Sequence, residues 1–245
     1  MPARHDQVDD PRLAAGLVTA RRGTAYFSRK LAELSDDDFD APSLLPGWTR
    51  RHLIAHVGYN ARALTRLLEW AATGIETPMY AGPEQRAREI DDGATLTPIA
   101  LRHLVSHSTV HLNGEWRDLT PTAWHTTVRT AQGRTVPASE TTWMRTREVW
   151  IHAVDLNNGG SFDDFPPDLL DALLTDITGT WRQRGDGPGL ALKPTDRKDS
   201  ISVGANPAVQ ITGTAADLTR WAAGRGSNDI AIAGAHTVPQ PPRWL

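Results

Sequence analysis

The sequence predicts an α+β chain: an antiparallel bundle of four long helices over residues 1–160, then a small α/β unit over residues 161–245. Three observations carry this. Four stretches of helical apolar periodicity run between capping residues or prolines and clusters of breakers. Long connections join them, as in bundles with crossovers. After Gly159-Gly160 the pattern changes to one helix followed by short alternating runs.

Asp10-Pro11 opens the first helix, whose apolar positions are Leu13, Leu17, Ala20, Phe27, Leu31 and Leu34, and Ser35-Asp36-Asp37-Asp38 ends it. A loop dense in breakers, residues 41–48, leads to Thr49, a good N-cap for a helix over 50–73 that stops at Gly74. A short helix fits residues 83–91. Thr97-Pro98 then caps a third long helix to about Trp116, with Leu101, Leu104, Val105 and Leu112 inside. Residues 118–138 read as irregular or extended, and Val128, Thr130, Gly133 and Val136 suit a short hairpin. Pro137 and Ser139 introduce the fourth helix, ETTWMRTREVWIHAVDLN, over Glu140–Asn157.

In the second unit a helix over 166–184 ends at Gly185-Asp186-Gly187-Pro188-Gly189. Leu190–Lys193, Ile201–Val203, Ala208–Thr212 and Ile230–Ala233 read as strands, and Thr214-Ala215-Ala216-Asp217 is a capping box for a helix to Ala223.

Composition excludes several functions. A net charge of −3 gives no electrostatic case for nucleic acid or an anionic membrane. No apolar run approaches the roughly 18 residues of a membrane span, and the N-terminus lacks a secretory apolar core, so a cytoplasmic protein is expected. The chain has no cysteine. Disulfides, thiolate metal sites and a protein thiol nucleophile are therefore excluded, and any metal must be held by His, Asp or Glu.

On the fourth helix Glu148 and His152 stand at i and i+4, on one face, with Asp155 in the same stripe. Met144 and Ile151 flank that stripe on one side and Val149 on the other, an apolar setting in which polar groups are costly unless paired or bound to metal. On the second helix His52 and His56 also stand four apart. His56, Glu148 and His152 can form a His₂Glu set, a catalytic zinc pattern that leaves a position open. Each residue has a plainer reading: a solvated i,i+4 pair for Glu148 and His152, a helix-end acid for Asp155. For His56, a core histidine bonded to backbone is the stronger reading from the residues alone. His52 competes with it as ligand or as support. Asp155 can orient an imidazole by accepting its free N–H. His103, His107 and His111 form a row on the third helix that fits a solvated face better than a metal site. Arg220 and Arg225 can reach an anionic substrate, or simply complement a helix C-terminus.

Four runs, LLPGWTRRHLIAHVGYNARAL, ETPMYAGPEQRAREI, TAQGRTVPASETTWMRTREVWIHAVDL and RWAAGRG, resemble the mycothiol-dependent maleylpyruvate isomerases of actinobacteria. The likeness spans nearly the whole bundle and continues more loosely into the second unit. It implies a DinB-like four-helix bundle followed by a sterol-carrier-like domain. It implies zinc on His56, Glu148 and His152 with water completing the site, and an arginine of the second domain falling on Arg225, with Arg220 as its rival. Tyr80, Arg86 and Asn60 are placed by position alone as contacts for mycothiol. The implied reaction is conversion of maleylpyruvate to fumarylpyruvate in gentisate breakdown, by reversible addition of the external thiolate to the conjugated double bond; separately, a monomer is expected. The alternatives are a DinB-like mycothiol S-transferase acting on another electrophile, and a non-catalytic module whose C-terminal unit carries an apolar ligand.

Overall fold

A computed structural model describes residues 5–187 and 189–244; residues 1–4, Pro188 of the glycine-rich turn and Leu245 lie outside them. Helix α1 (Pro11–Ala32) is capped by Asp10, which accepts from the Arg12 amide, and Pro11 sits where a missing N–H is harmless. Helix α2 (Arg50–Thr73) ends at Gly74, which takes the left-handed conformation (φ 74°) that closes helices. Helix α3 (Pro83–Ala94) runs past the expected residue 91, because Ile90, Gly93 and Ala94 are buried. Gly93 lies directly on α2: a Cβ there would come within 2.8 Å of the Ala55 Cβ.

Thr97 caps helix α4 (Pro98–Asp118) by accepting from Ala100 N. Strands β1 (Thr127–Arg129) and β2 (Thr135–Pro137) form the antiparallel hairpin, with buried Val128 opposite Val136. Helix α5 (Glu140–Asp155) follows, and with it the first of two units ends at Gly160. Within this unit α2 packs against α3, α4 and α5, while α1 packs against α5. Leu17, Leu64, Leu68, Leu112, Trp116 and Trp124 share one buried cluster. The buried Trp116 indole donates to Thr141 Oγ1 at 3.1 Å, tying α4 to the start of α5.

The α1–α5 approach depends on one glycine. A Cβ on Gly23 would fall 2.4 Å from the Trp150 ring and 2.7 Å from Val149. Since Trp150 is buried beside the functional stretch of α5, Gly23→Ala is expected to destabilise the bundle by about 2 kcal/mol. Urea unfolding at neutral pH checks this; an unchanged midpoint would contradict the close contact.

The second unit begins at Ser161. Helix α6 (Pro167–Arg184) stops at Gly185, again left-handed. Strands β3 (Leu190–Pro194), β4 (Ile201–Ser202), β5 (Val209–Gly213) and β6 (Ala231–Ala233) form a sheet in the order β4-β3-β5-β6. The β3–β5 pair is parallel and the others are antiparallel. The parallel register, Leu190 opposite Val209 through Pro194 opposite Gly213, carries β5 one residue past its expected end. Helix α7 (Ala215–Ala222) starts at the expected capping box, with Thr214 and Asp217 each accepting from the other's backbone amide. Trp181 of α6 meets Trp221 of α7 edge to face, with ring centroids 5.8 Å apart. Among the described residues no helix is long and apolar enough to cross a membrane.

Candidate metal centre

Helices α2 and α5 bring His56, Glu148 and His152 together. One oxygen of Glu148, Oε2, lies 2.9 Å from His56 Nε2 and 3.0 Å from His152 Nε2. The two imidazoles stand edge to face with centroids 5.0 Å apart. One donor atom from each residue falls within 4.8 Å of the other two. The i,i+4 spacing of Glu148 and His152 puts that pair on one rigid face; His56 arrives from 92 residues earlier because α2 packs across α5.

Asp155 completes the α5 stripe. Its side chain is fully buried, and its Oδ2 lies 2.8 Å from His152 Nδ1. A carboxylate there fixes the ring so that Nε2 faces inward, the support expected behind a metal-binding imidazole. The position of Asp155 is held in turn by its own carbonyl, which accepts from Leu44 N at 2.9 Å. Arg50 donates to the carbonyls of Leu156 and Asn157, anchoring the end of α5 to the start of α2.

His52 is not one of the three. Its Nδ1 pairs with Thr49 Oγ1 at 2.8 Å, and its ring stacks on Trp48, which also lies 5.5 Å from His56. The exposed His103, His107 and His111 stay on the solvated face of α4. Arg86 Nη2 lies 3.4 Å from His56 Nδ1, and the half-buried Tyr80 is close enough to feel the charges of Arg86 and Glu148. Asn60 is buried and its Oδ1 accepts from Arg145. Arg220 and Arg225 belong to the second unit and have partners within it. Arg220 pairs with Asp217 at 2.8 Å and donates to the Asn228 carbonyl, while Arg225 donates to the Ala223 carbonyl.

Arg145 was not singled out from the sequence. It is only 1% exposed, sits one turn before Glu148 and donates through Nη1 to Val57 O at 2.8 Å and Asn60 Oδ1 at 3.0 Å. It therefore ties α5 to the backbone next to His56. Burial brings its guanidinium down to about 10, opposed by Glu148, so it stays charged at neutral pH. A signal existed: Arg145 is a fourth ionisable residue in the stripe of Glu148, His152 and Asp155.

The site's protonation follows from its contacts. Burial pushes the His56 imidazole down despite the pull of Glu148. Burial acts the same way on His152, but its bonds to Asp155 and Glu148 outweigh that and push it up to about 9. Burial alone would raise the Glu148 carboxyl; the two imidazoles hold it well below the usual carboxylate range. Without metal the centre is thus neutral His56, ionised Glu148 and protonated His152. A raised histidine stabilises the fold fully below its ordinary value of 6.5 and loses that contribution as pH rises to about 9. Metal-free protein should therefore lose stability between pH 6.5 and 9, by no more than about 3 kcal/mol. A metal must displace the His152 proton, so its affinity should rise over the same window, by at most about tenfold per pH unit. Unfolding and metal titrations at several pH values check both; a pH-independent affinity would contradict the assignment.

Two imidazole nitrogens and a carboxylate oxygen suit a borderline divalent cation, and a Glu148 side chain that is 23% exposed leaves one side open. Comparison with known proteins identifies the family. Residues 20–157 match the family model for the mycothiol maleylpyruvate isomerase N-terminal domain, and residues 164–241 match the C-terminal domain model of the same family. A solved mycothiol-dependent maleylpyruvate isomerase is 49% identical, with 96% of this chain and 98% of that one covered and a TM-score of 0.91. A histidine-to-alanine variant of such an isomerase gives 48% identity, the same coverage and a TM-score of 0.90. Comparison with curated protein sequences found no match.

Proposed function

The chain belongs to the mycothiol maleylpyruvate isomerase family, and from that premise we propose that it isomerises maleylpyruvate to fumarylpyruvate with zinc and mycothiol. The observation that carries the reading is the His56–Glu148–His152 cluster, backed by Asp155, in a chain without cysteine. His56, Glu148 and His152 would hold the zinc. Bound there by two neutral imidazoles and one carboxylate, zinc would keep net positive charge and supply Lewis acidity toward a thiol or a substrate carbonyl. Mycothiol would supply the sulfur whose reversible addition turns the conjugated double bond into a single bond free to rotate.

The chain's own residues do the rest. Glu148, lying between the two imidazoles, would balance part of the metal charge. Asp155 keeps the His152 proton on Nδ1 and thereby frees Nε2. Trp48 walls one side of His56 and limits water there. Arg145 holds the α2 and α5 backbones in register beneath the cluster. An arginine of the second unit, Arg225 or its rival Arg220, remains a proposed partner for substrate carboxylate. We place the reaction in gentisate breakdown, in the cytoplasm, and in a monomer.

The test is turnover of maleylpyruvate with and without mycothiol. The expected result is fumarylpyruvate only when thiol is present, with thiol recovered unchanged. Thiol-independent turnover would sink the mechanism. A stable thiol conjugate would mark an S-transferase instead.

A further inference from the structure

Arg86 is a half-buried cation without an anion. Its Nη2 lies 3.4 Å from His56 Nδ1, and among the described residues no carboxylate comes within 4.0 Å of its guanidinium. Glu89, an acid one turn along the same helix, meets Arg66 at 3.5 Å and Gln85 at 2.9 Å through Oε1, and its buried Oε2 has no hydrogen-bond partner, so it does not reach Arg86 either. Other arginines of the bundle are matched: Arg21 by Asp6, and Arg102 by Asp36 and by the carbonyls of Leu31 and Leu34. A guanidinium partly removed from water is costly unless an acceptor meets it.

The contact with His56 does not meet that need. His56 Nε2 is the atom turned toward Glu148. A neutral imidazole that binds metal through Nε2 carries its proton on Nδ1. Arg86 and Nδ1–H are then both donors, and the guanidinium must find its acceptor elsewhere. Tyr80, near enough to feel the charge of Arg86, has its phenol pushed up to about 12 by burial and so stays a neutral hydroxyl. Arg86 thus places a hydrogen-bond donor with positive charge at the edge of the cluster.

We propose that Arg86 binds a carboxylate of the substrate and is the residue of the bundle that selects a dicarboxylate. The proposal rests on the functional reading above, in which the substrate is the dianion among the two small molecules. It reassigns Arg86 from the thiol-cofactor contact that position alone suggested. The planar guanidinium suits a carboxylate through two parallel hydrogen bonds, which a lysine cannot reproduce.

The test is steady-state kinetics of wild type, Arg86→Lys and Arg86→Met, each checked for metal content, with maleylpyruvate and mycothiol varied separately. Arg86→Met should raise KM for maleylpyruvate about 10- to 100-fold, with KM for mycothiol and metal content unchanged, and Arg86→Lys should recover part of the loss. An unchanged KM for maleylpyruvate, or a rise in KM for mycothiol instead, would overturn the proposal. Calorimetric titration with maleate, a stable dicarboxylate, separates this from the functional reading. If wild type fails to turn over maleylpyruvate yet binds maleate in an Arg86-dependent way, the anion site stands and the reaction assignment falls. Maleate binding that is equal in wild type and Arg86→Met would overturn the site itself.

Discussion

Glu148→Gln is expected to cost the protein its metal and at least about 10³-fold of its isomerase rate. One oxygen of Glu148 lies within 3.0 Å of both imidazoles, so it is the atom around which the donor set closes. The amide keeps the shape and removes the charge. It also removes one of the two negative charges that favour protonated His152, leaving that of Asp155. The fold should survive, since the side chain is 23% exposed and outside the main apolar cluster. Metal analysis after dialysis, beside turnover and circular dichroism, reads all three. A folded variant with full metal and full rate would remove Glu148 from the site.

Asp155→Asn is expected to weaken metal binding about 10- to 100-fold while leaving the three ligands in place. The carboxylate is fully buried 2.8 Å from His152 Nδ1, where its charge makes the imidazole a stronger ligand and fixes its tautomer. An asparagine can offer an oxygen there, without the charge, or turn its NH₂ toward the ring and force the wrong tautomer. Chelator competition measures the affinity. Saturating zinc should restore most of the rate if the residue acts through the ligand, whereas an unchanged dissociation constant would assign Asp155 to packing alone.

What could be read from the sequence was mostly local. Helix ends were legible because caps act within one turn: Asp10 on Arg12, Thr97 on Ala100, and the Thr214–Asp217 box. Glu148, His152 and Asp155 were legible for the same reason, since helical spacing alone aligns them. His56 was harder, because a buried histidine has a plainer use and only the packing of α2 on α5 sets it against Glu148. Distinguishing it from His52 needed the three-dimensional contact to Thr49. Arg145 and Arg86 were out of reach in their actual settings. Arg145 matters through a carbonyl 88 residues away, and Arg86 through the lack of a carboxylate around it. Spacing alone places Arg145 in the α5 stripe, but it encodes neither of these surroundings. The end of α3 at Ala94 and the end of β5 at Gly213 were likewise set by contacts with other elements.

The central claim is that His56, Glu148 and His152 hold one metal ion, and metal stoichiometry tests it most directly. Purified wild type should carry about one zinc per chain, and His56→Ala and His152→Ala, folded by circular dichroism, should each carry almost none. Full zinc occupancy in either variant, or none in wild type supplied with zinc at pH 8, would contradict it.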